Sequence, residues 1–167
     1  MATADQKDKI TFRTIEKKDN KAIAGLIRSV FREFGIVRPG TVYFDPTTDD
    51  LYTLFQKQGS IYWIAEDNGI IIGGCGIYAT ENLPDGCTEL VKLYLDPSYR
   101  NMGIGRKLLE MSIESAKRMK YKQIYLESLP ELGKAISLYE KAGFRYISYK
   151  MGDSGHFGCN IWMIKDL

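Results

Sequence analysis

The feature that most constrains this chain is a change of period at Leu95. Before it, three strand-like segments follow one another with tight turns between them: "SIYWIAE" (Ser60–Glu66), "DNG", "IIIGGCGIYA" (Ile70–Ala79), "LPDG" (Leu83–Gly86) and "CTELVKLYL" (Cys87–Leu95). Asn-Gly between apolar alternating runs is a hairpin signal. The third segment is apolar at nearly every position, as a central strand covered on both faces is. After Leu95 the period becomes helical. A loop "DPSYRNM" leads into a helix from about Gly103 to Met119, where Ile104, Leu108, Met111 and Ser115 form one line with Leu109, Ile113 and Ala116 beside it. "QIYLES" (Gln123–Ser128) then reads as a strand reached through a helix, which implies a parallel, right-handed crossover. A meander that continues into a crossover demands a mixed sheet, so the expected class is α+β (mixed α/β) with helices on both faces.

The remaining segments add to that sheet. "ITFRTI" (Ile10–Ile15) alternates as a first strand, and Asp19 or Asn20 is expected to cap a helix carrying Ile23, Leu26, Ile27, Val30, Phe31 and Phe34. A loop with Pro39, Gly40 and Pro46 precedes a short helix around Asp49–Gln58, for which Thr48 is the expected cap. Gly133–Ala142 reads as a helix ended by Gly143. "FRYISYK" and "GCNIWMIK" read as a closing hairpin, with "NIWMIK" as an apolar edge on which a homodimer would form if the chain is not a monomer. The expected sheet has six or seven strands in a single domain spanning residues 1–167.

Composition removes several function classes. Hydrophobic residues at 44% and charged ones at 26% are globular values. Lys plus Arg exceed Asp plus Glu by only 23 to 21, which argues against nucleic acid as the main partner. No run of about 18 apolar residues marks a membrane span, and "MATADQKDKI" has no signal core, so a cytoplasmic location is expected. The three cysteines, Cys75, Cys87 and Cys159, form no CxxC pair, so neither a disulfide framework nor a metal site is expected.

The glycines at the start of the helix need a reason, because glycine in a helical turn costs about 1 kcal/mol relative to alanine. In "RNMGIGRKLLE" (Arg100–Glu110) they stand where the first helix amides lack partners and the dipole favours anions. No Walker pattern fits. A dinucleotide fingerprint has Leu108 where its third glycine belongs. Glu127 stands where a ribose-binding acid would, yet seven residues separate Leu95 from Gly103 (96 to 102), too many for the tight turn, and three antiparallel strands precede it.

The stretch "ELVKLYLDPSYRNMGIGRKLLE" resembles the GNAT superfamily of N-acetyltransferases. That family's signature, R/Q-x-x-G-x-G/A after the fourth strand, is met by Arg100, Gly103 and Gly105. "AISLYEKAGF" (Ala135–Phe144) is similar to its penultimate helix, and the order of elements fits nearly the whole chain. The resemblance implies acetyl-CoA as cosubstrate and a cleft where the fourth and fifth strands splay. A pyrophosphate would lie over the amides of Met102, Gly103, Ile104, Gly105, Arg106 and Lys107, following Asn101, with Arg100 and Arg106 adding charge. The backbone of Leu93, Tyr94 and Leu95 would pair with the pantetheine arm, Pro97 ending that strand.

The resemblance also assigns the chemistry. Glu89 matches a glutamate base of some members; a buried carboxyl there would have a raised pKa. An amide near Tyr94 would hold the oxyanion, and Tyr139 matches a tyrosine that protonates the departing thiolate. Leu132 replaces an asparagine that many relatives direct at pantetheine, a contact that Ser128 or backbone near Glu131 would supply. His156, three residues before Cys159, lacks an identifiable orienting Asn or Asp, and Cys159 is expected to begin a strand with its side chain turned away. The loop Gly152–Gly158 is instead expected to line the acceptor pocket, with His156 reading the substrate and Tyr43 among the aromatics walling it. The expected activity is direct acetyl transfer to the amine of a small molecule or peptide. A non-catalytic acyl-CoA sensor of the same fold is the alternative.

Overall fold

The computed structural model describes residues 9–167; most of the stretch read above for a signal core lies outside them. Strands β1 (Ile10–Thr14), β2 (Ile61–Asp67), β3 (Ile70–Tyr78), β4 (Cys87–Leu95), β5 (Gln123–Ser128), β6 (Arg145–Ile147) and β7 (Ile161–Asp166) form one sheet in the order β1-β2-β3-β4-β5-β7-β6. Only β4 and β5 run parallel. This is the mixed sheet expected, with one correction. β7 inserts between β5 and β6, so "NIWMIK" is an interior strand and offers no edge to a partner. Its position follows from a six-residue ladder with β5, twice as long as its three-residue pairing with β6.

Helices cover both faces. Helix α1 (Asn20–Glu33) buries Ile23, Ile27, Val30 and Phe31 against Tyr62, Ile64 and Tyr94 on one face. Helix α3 (Ile104–Arg118) and helix α4 (Gly133–Lys141) bury Ile104, Leu108, Leu109, Ile136 and Tyr139 against Ala65, Cys75, Ile77 and Leu90 on the other. The pairs Arg106–Glu110 and Arg118–Glu114 lie on the wet side of α3 as expected. The one-turn helix α2 (Leu51–Leu54) follows a tight turn, Pro46–Asp50.

The expected caps are corrected by longer-range partners. Asp19 is clamped by both terminal nitrogens of Arg13, at 2.7 and 2.9 Å, and accepts the Glu16 amide. Asn20 bridges to Asp50 and to the Tyr52 amide. Thr48 is buried and donates to the Val42 carbonyl, while Asp50 caps α2 through the Thr53 amide.

Two features of β4 position the site. Its parallel pairing with β5 covers only Cys87–Glu89 against Gln123–Tyr125, so from Leu90 onward the strands part. Opposite β3, the register shifts where Gly76 faces Val91 but Gly74 faces Tyr94, leaving Lys92 and Leu93 against Cys75 alone. Lys92 takes φ +54° at this bulge. The extra residue resets the alternation: Val91 and Tyr94 pack on the α1 face, Leu90, Leu93 and Leu95 on the α3 face. Lys92 thereby joins Glu89 and Val91 in lining the same hollows.

Candidate active site

The cleft between β4 and β5 opens into one cavity, and a second lies between the loops around Asp45 and His156. They meet at Thr41, Glu89, Val91, Lys92 and His156. The first runs along Val91–Leu95 to Asn101, Gly103 and Gly105, with Leu129, Leu132 and Tyr139 opposite. The second is walled by Phe44, Asp45, Phe55, Tyr78, Thr80 and Phe157.

At the far end of the first cavity, the amides of Met102 through Arg106 have no hydrogen-bond partner among the described residues. Lys107 is corrected out of the expected cradle, because its amide already donates to the Gly103 carbonyl at 3.0 Å in the first helical turn. Gly103 takes φ +82°, a left-handed position that favours glycine. Gly105 does not. A Cβ there would meet only Leu138 Cδ2, at 3.8 Å, which is ordinary contact. Protein packing therefore gives no reason for Gly105, whereas an anion resting on bared amides does, since a side chain would hold it off.

Arg100 and Arg106 both line the first cavity, and Arg100 is held there by protein partners. Its guanidinium grips both Glu33 oxygens, at 2.7 and 2.8 Å, reaches the Leu95 carbonyl and lies over the Phe34 ring. It ties the loop before α3 to α1, with its charge already matched. Arg106 pairs with Glu110 at the surface.

At the junction, Glu89 is only 4% exposed and accepts a hydrogen bond from the Thr80 hydroxyl. Burial pushes its carboxyl up to about 7; the Thr80 bond and the charges of Lys92 and Lys150 oppose this, and Glu127 adds to it. Lys92 is also buried, and burial lowers its pKa against the pull of Asp45 and Glu89. Tyr139 packs edge-on to Phe144, and its hydroxyl has no partner among the described residues. Burial, with Cys75 adding, raises its pKa well above the ordinary value, so it stays a neutral donor.

His156 gains the orienting acid that the sequence did not disclose: its Nε2 stands 2.8 Å from Asp45 Oδ2. Burial works to raise Asp45, but the bonds from His156 and Thr47 outweigh it and hold the carboxyl well below its ordinary value. Cys159 lies before β7 rather than in it and lines the first cavity, contrary to expectation. Burial pushes its thiol up to about 12, aided by Glu127 and Glu89, so no reactive thiolate stands beside the imidazole at neutral pH. Glu127 takes the Tyr125 and Ser154 hydroxyls, which fix the loop carrying His156 rather than leaving an acid free for a ribose.

The sequence profile of the Acetyltransferase (GNAT) family matches residues 27–144. The chain belongs to this family. As a GNAT protein it is an acyltransferase. It is 38% identical over 156 residues to the uncharacterized N-acetyltransferase YjgM of Escherichia coli (strain K12), covering 93% of each chain. An acetyltransferase of the GNAT family from Staphylococcus aureus Mu50 superposes with a TM-score of 0.84 at 24% identity, over 95% of this chain and 99% of that one. An acetyltransferase from Salmonella typhimurium, solved with its cofactor acetyl-CoA, superposes at 0.73 with 21% identity, over 95% and 94%.

Within this GNAT protein, Leu93, Tyr94, Leu95, Gly103, Gly105 and Tyr139 line the first cavity, and Glu89 and His156 stand at its junction with the second. Tyr43 lines neither: its ring meets Phe44 edge-on and its hydroxyl accepts from Arg32, while neighbouring Val42 and Phe44 face the cavities. Sequence reasoning missed Asp45, Thr80 and Lys92. A signal existed for Lys92, the second charge in an apolar central strand.

Proposed function

We propose that this GNAT enzyme transfers an acetyl group from acetyl-CoA directly to a primary amine bound in the second cavity. The observation that carries this reading is the row of unpartnered amides from Met102 to Arg106, at the end of a cavity that Glu89 and Tyr139 also line. The cradle would take the diphosphate, with Gly105 leaving it room, and the unpaired β5 side of Val91–Leu95 would receive the amides of the pantetheine arm as an added strand would. Acetyl-CoA supplies the acetyl group as a thioester, a carbonyl already activated toward amines.

The chain's own residues supply the rest. Free alkyl amines are ammonium ions at neutral pH, and Glu89, with its pKa near 7, takes the proton that unmasks the nucleophile. The nitrogen then forms its bond to the carbonyl carbon as the carbon–sulfur bond breaks, and the second proton it must shed to become an amide passes to solvent. Tyr139 donates its hydroxyl proton to the leaving sulfur and recovers one from solvent. Asp45 holds His156 at the border of the acceptor space.

Purified protein with acetyl-CoA and a panel of primary amines tests this. Free thiol appearing only when an amine is present is the expected result. A rise in Tm with coenzyme A but no thiol release from any amine would favour the sensor alternative. No Tm rise would remove the phosphate cradle as well.

A further inference from the structure

The charged groups lining the acceptor-side cavity are engaged with protein partners, with one exception. Glu81 pairs with Lys57, Asp153 accepts from the Asn82 amide at 2.6 Å, Asp45 holds His156, and Glu89 takes the Thr80 hydroxyl. The Lys92 ammonium makes no hydrogen bond or ion pair among the described residues, although the residue is only 8% exposed and lines both cavities. Its position is fixed: the Tyr62 hydroxyl donates to the Lys92 carbonyl at 2.7 Å, holding the bulge. Asp45 and Glu89 act on this ammonium from a distance, but neither bonds to it; a largely desolvated ammonium facing a cavity is complemented by an anion entering with a ligand.

The diphosphate of the proposed cosubstrate would lie by α3, beyond Leu95, away from Lys92. The junction is where an acceptor amine would meet Glu89, and the bulge brings Lys92 onto that same side of β4. A carboxylate for an ammonium and an ammonium for a carboxylate, at one junction, complement a zwitterion. Farther out, Phe44 and Phe157 are 55% and 76% exposed on the wall of the same cavity, an apolar rim.

Resting on the reading above, we propose that the acceptor is a free α-amino acid with a large apolar side chain, its carboxylate bound by Lys92 and its amine presented to Glu89. Lys92 then determines specificity, separating amino acids from simple amines of the same shape.

The test uses the full chain with acetyl-CoA and three probes: phenylalanine, phenylalaninamide and phenethylamine. Wild type is expected to favour phenylalanine in kcat/KM by at least about tenfold over either analogue lacking the carboxylate, the size of one charge-assisted hydrogen bond. In Lys92→Met that ratio is expected to fall to about one, and in Lys92→Arg to persist in part. If the methionine variant fails to fold, the wild-type comparison and the arginine variant still decide. Equal or better turnover of either analogue by wild type, survival of the preference in folded Lys92→Met, or turnover of none of the three would overturn the inference. Acetylation of other amines would leave the general reading standing, whereas absence of any coenzyme A binding would remove both.

Discussion

His156 Nε2 and Asp45 Oδ2 stand 2.8 Å apart although they are 111 positions apart in the chain, so one hydrogen-bonded contact closes two loops over the second cavity. The Gly158 amide reinforces it by donating to the Gly40 carbonyl at 2.8 Å. Asp45→Asn weakens the contact without touching the amide cradle. Steady-state kinetics should show the acceptor KM rising by about tenfold, with coenzyme A affinity unchanged. Stability carries a second signature. The depressed Asp45 pKa means that the charged form is stabilised by folding, a contribution present above the ordinary value of 3.8 and lost as pH falls below it. The Tm gap between wild type and variant should therefore narrow in acid.

Glu89 has the opposite sign. With a folded pKa of about 7 against an ordinary 4.5, it binds a proton more readily in the native state. Its contribution favours folding below pH 4.5 and fades as pH rises through 7, by about 3 kcal/mol at most. Glu89→Gln should lower kcat by about a hundredfold or more. It should also remove the rise in kcat/KM that wild type shows as pH climbs through 7. The same variant should melt higher than wild type at pH 9 and not at pH 4, a reversal that a merely damaged fold would not give.

Tyr139→Phe removes only an unpartnered hydroxyl and keeps the edge-on packing with Phe144. The expected outcome is a kcat lower by about tenfold, because a thiolate leaves fairly well without an acid. Titration with coenzyme A should give the wild-type affinity, and Tm should not fall. Unchanged kcat would return Tyr139 to a packing role.

What the sequence made legible is what local period carries. The bounds of β4 and β5, the crossover through α3 and the hairpin at Asn68–Gly69 all follow from alternation and turn chemistry. The bulge at Lys92 left no such mark. Both faces of β4 are apolar, so a one-residue slip exchanges leucines for valine and tyrosine without breaking the pattern. The caps at Asp19, Asn20 and Thr48 misled for a related reason. Each is a polar residue well placed for a local bond whose actual partner, Arg13, Asp50 or Val42, was chosen by packing. Asp45 and His156 lie in loops without periodicity, and only the folded chain brings them together.

Gly105 offers a test in which stability and binding move in opposite directions. Its added Cβ would meet Leu138 Cδ2 at 3.8 Å and its φ is ordinary, so Gly105→Ala relieves the helix of a poor former at no steric cost. Tm should rise, by up to about 1 kcal/mol of stability. Coenzyme A affinity should nevertheless fall, and in Gly105→Val it should be lost. Gly103 separates the two causes. At φ +82° an alanine is strained although its Cβ would meet no protein atom, so Gly103→Ala should lower stability by about 1 kcal/mol or more, where Gly105→Ala raises it. Differential scanning fluorimetry with and without coenzyme A reads both quantities at once. A stabilised Gly105→Ala that still binds at wild-type strength would show that the glycine makes room for nothing.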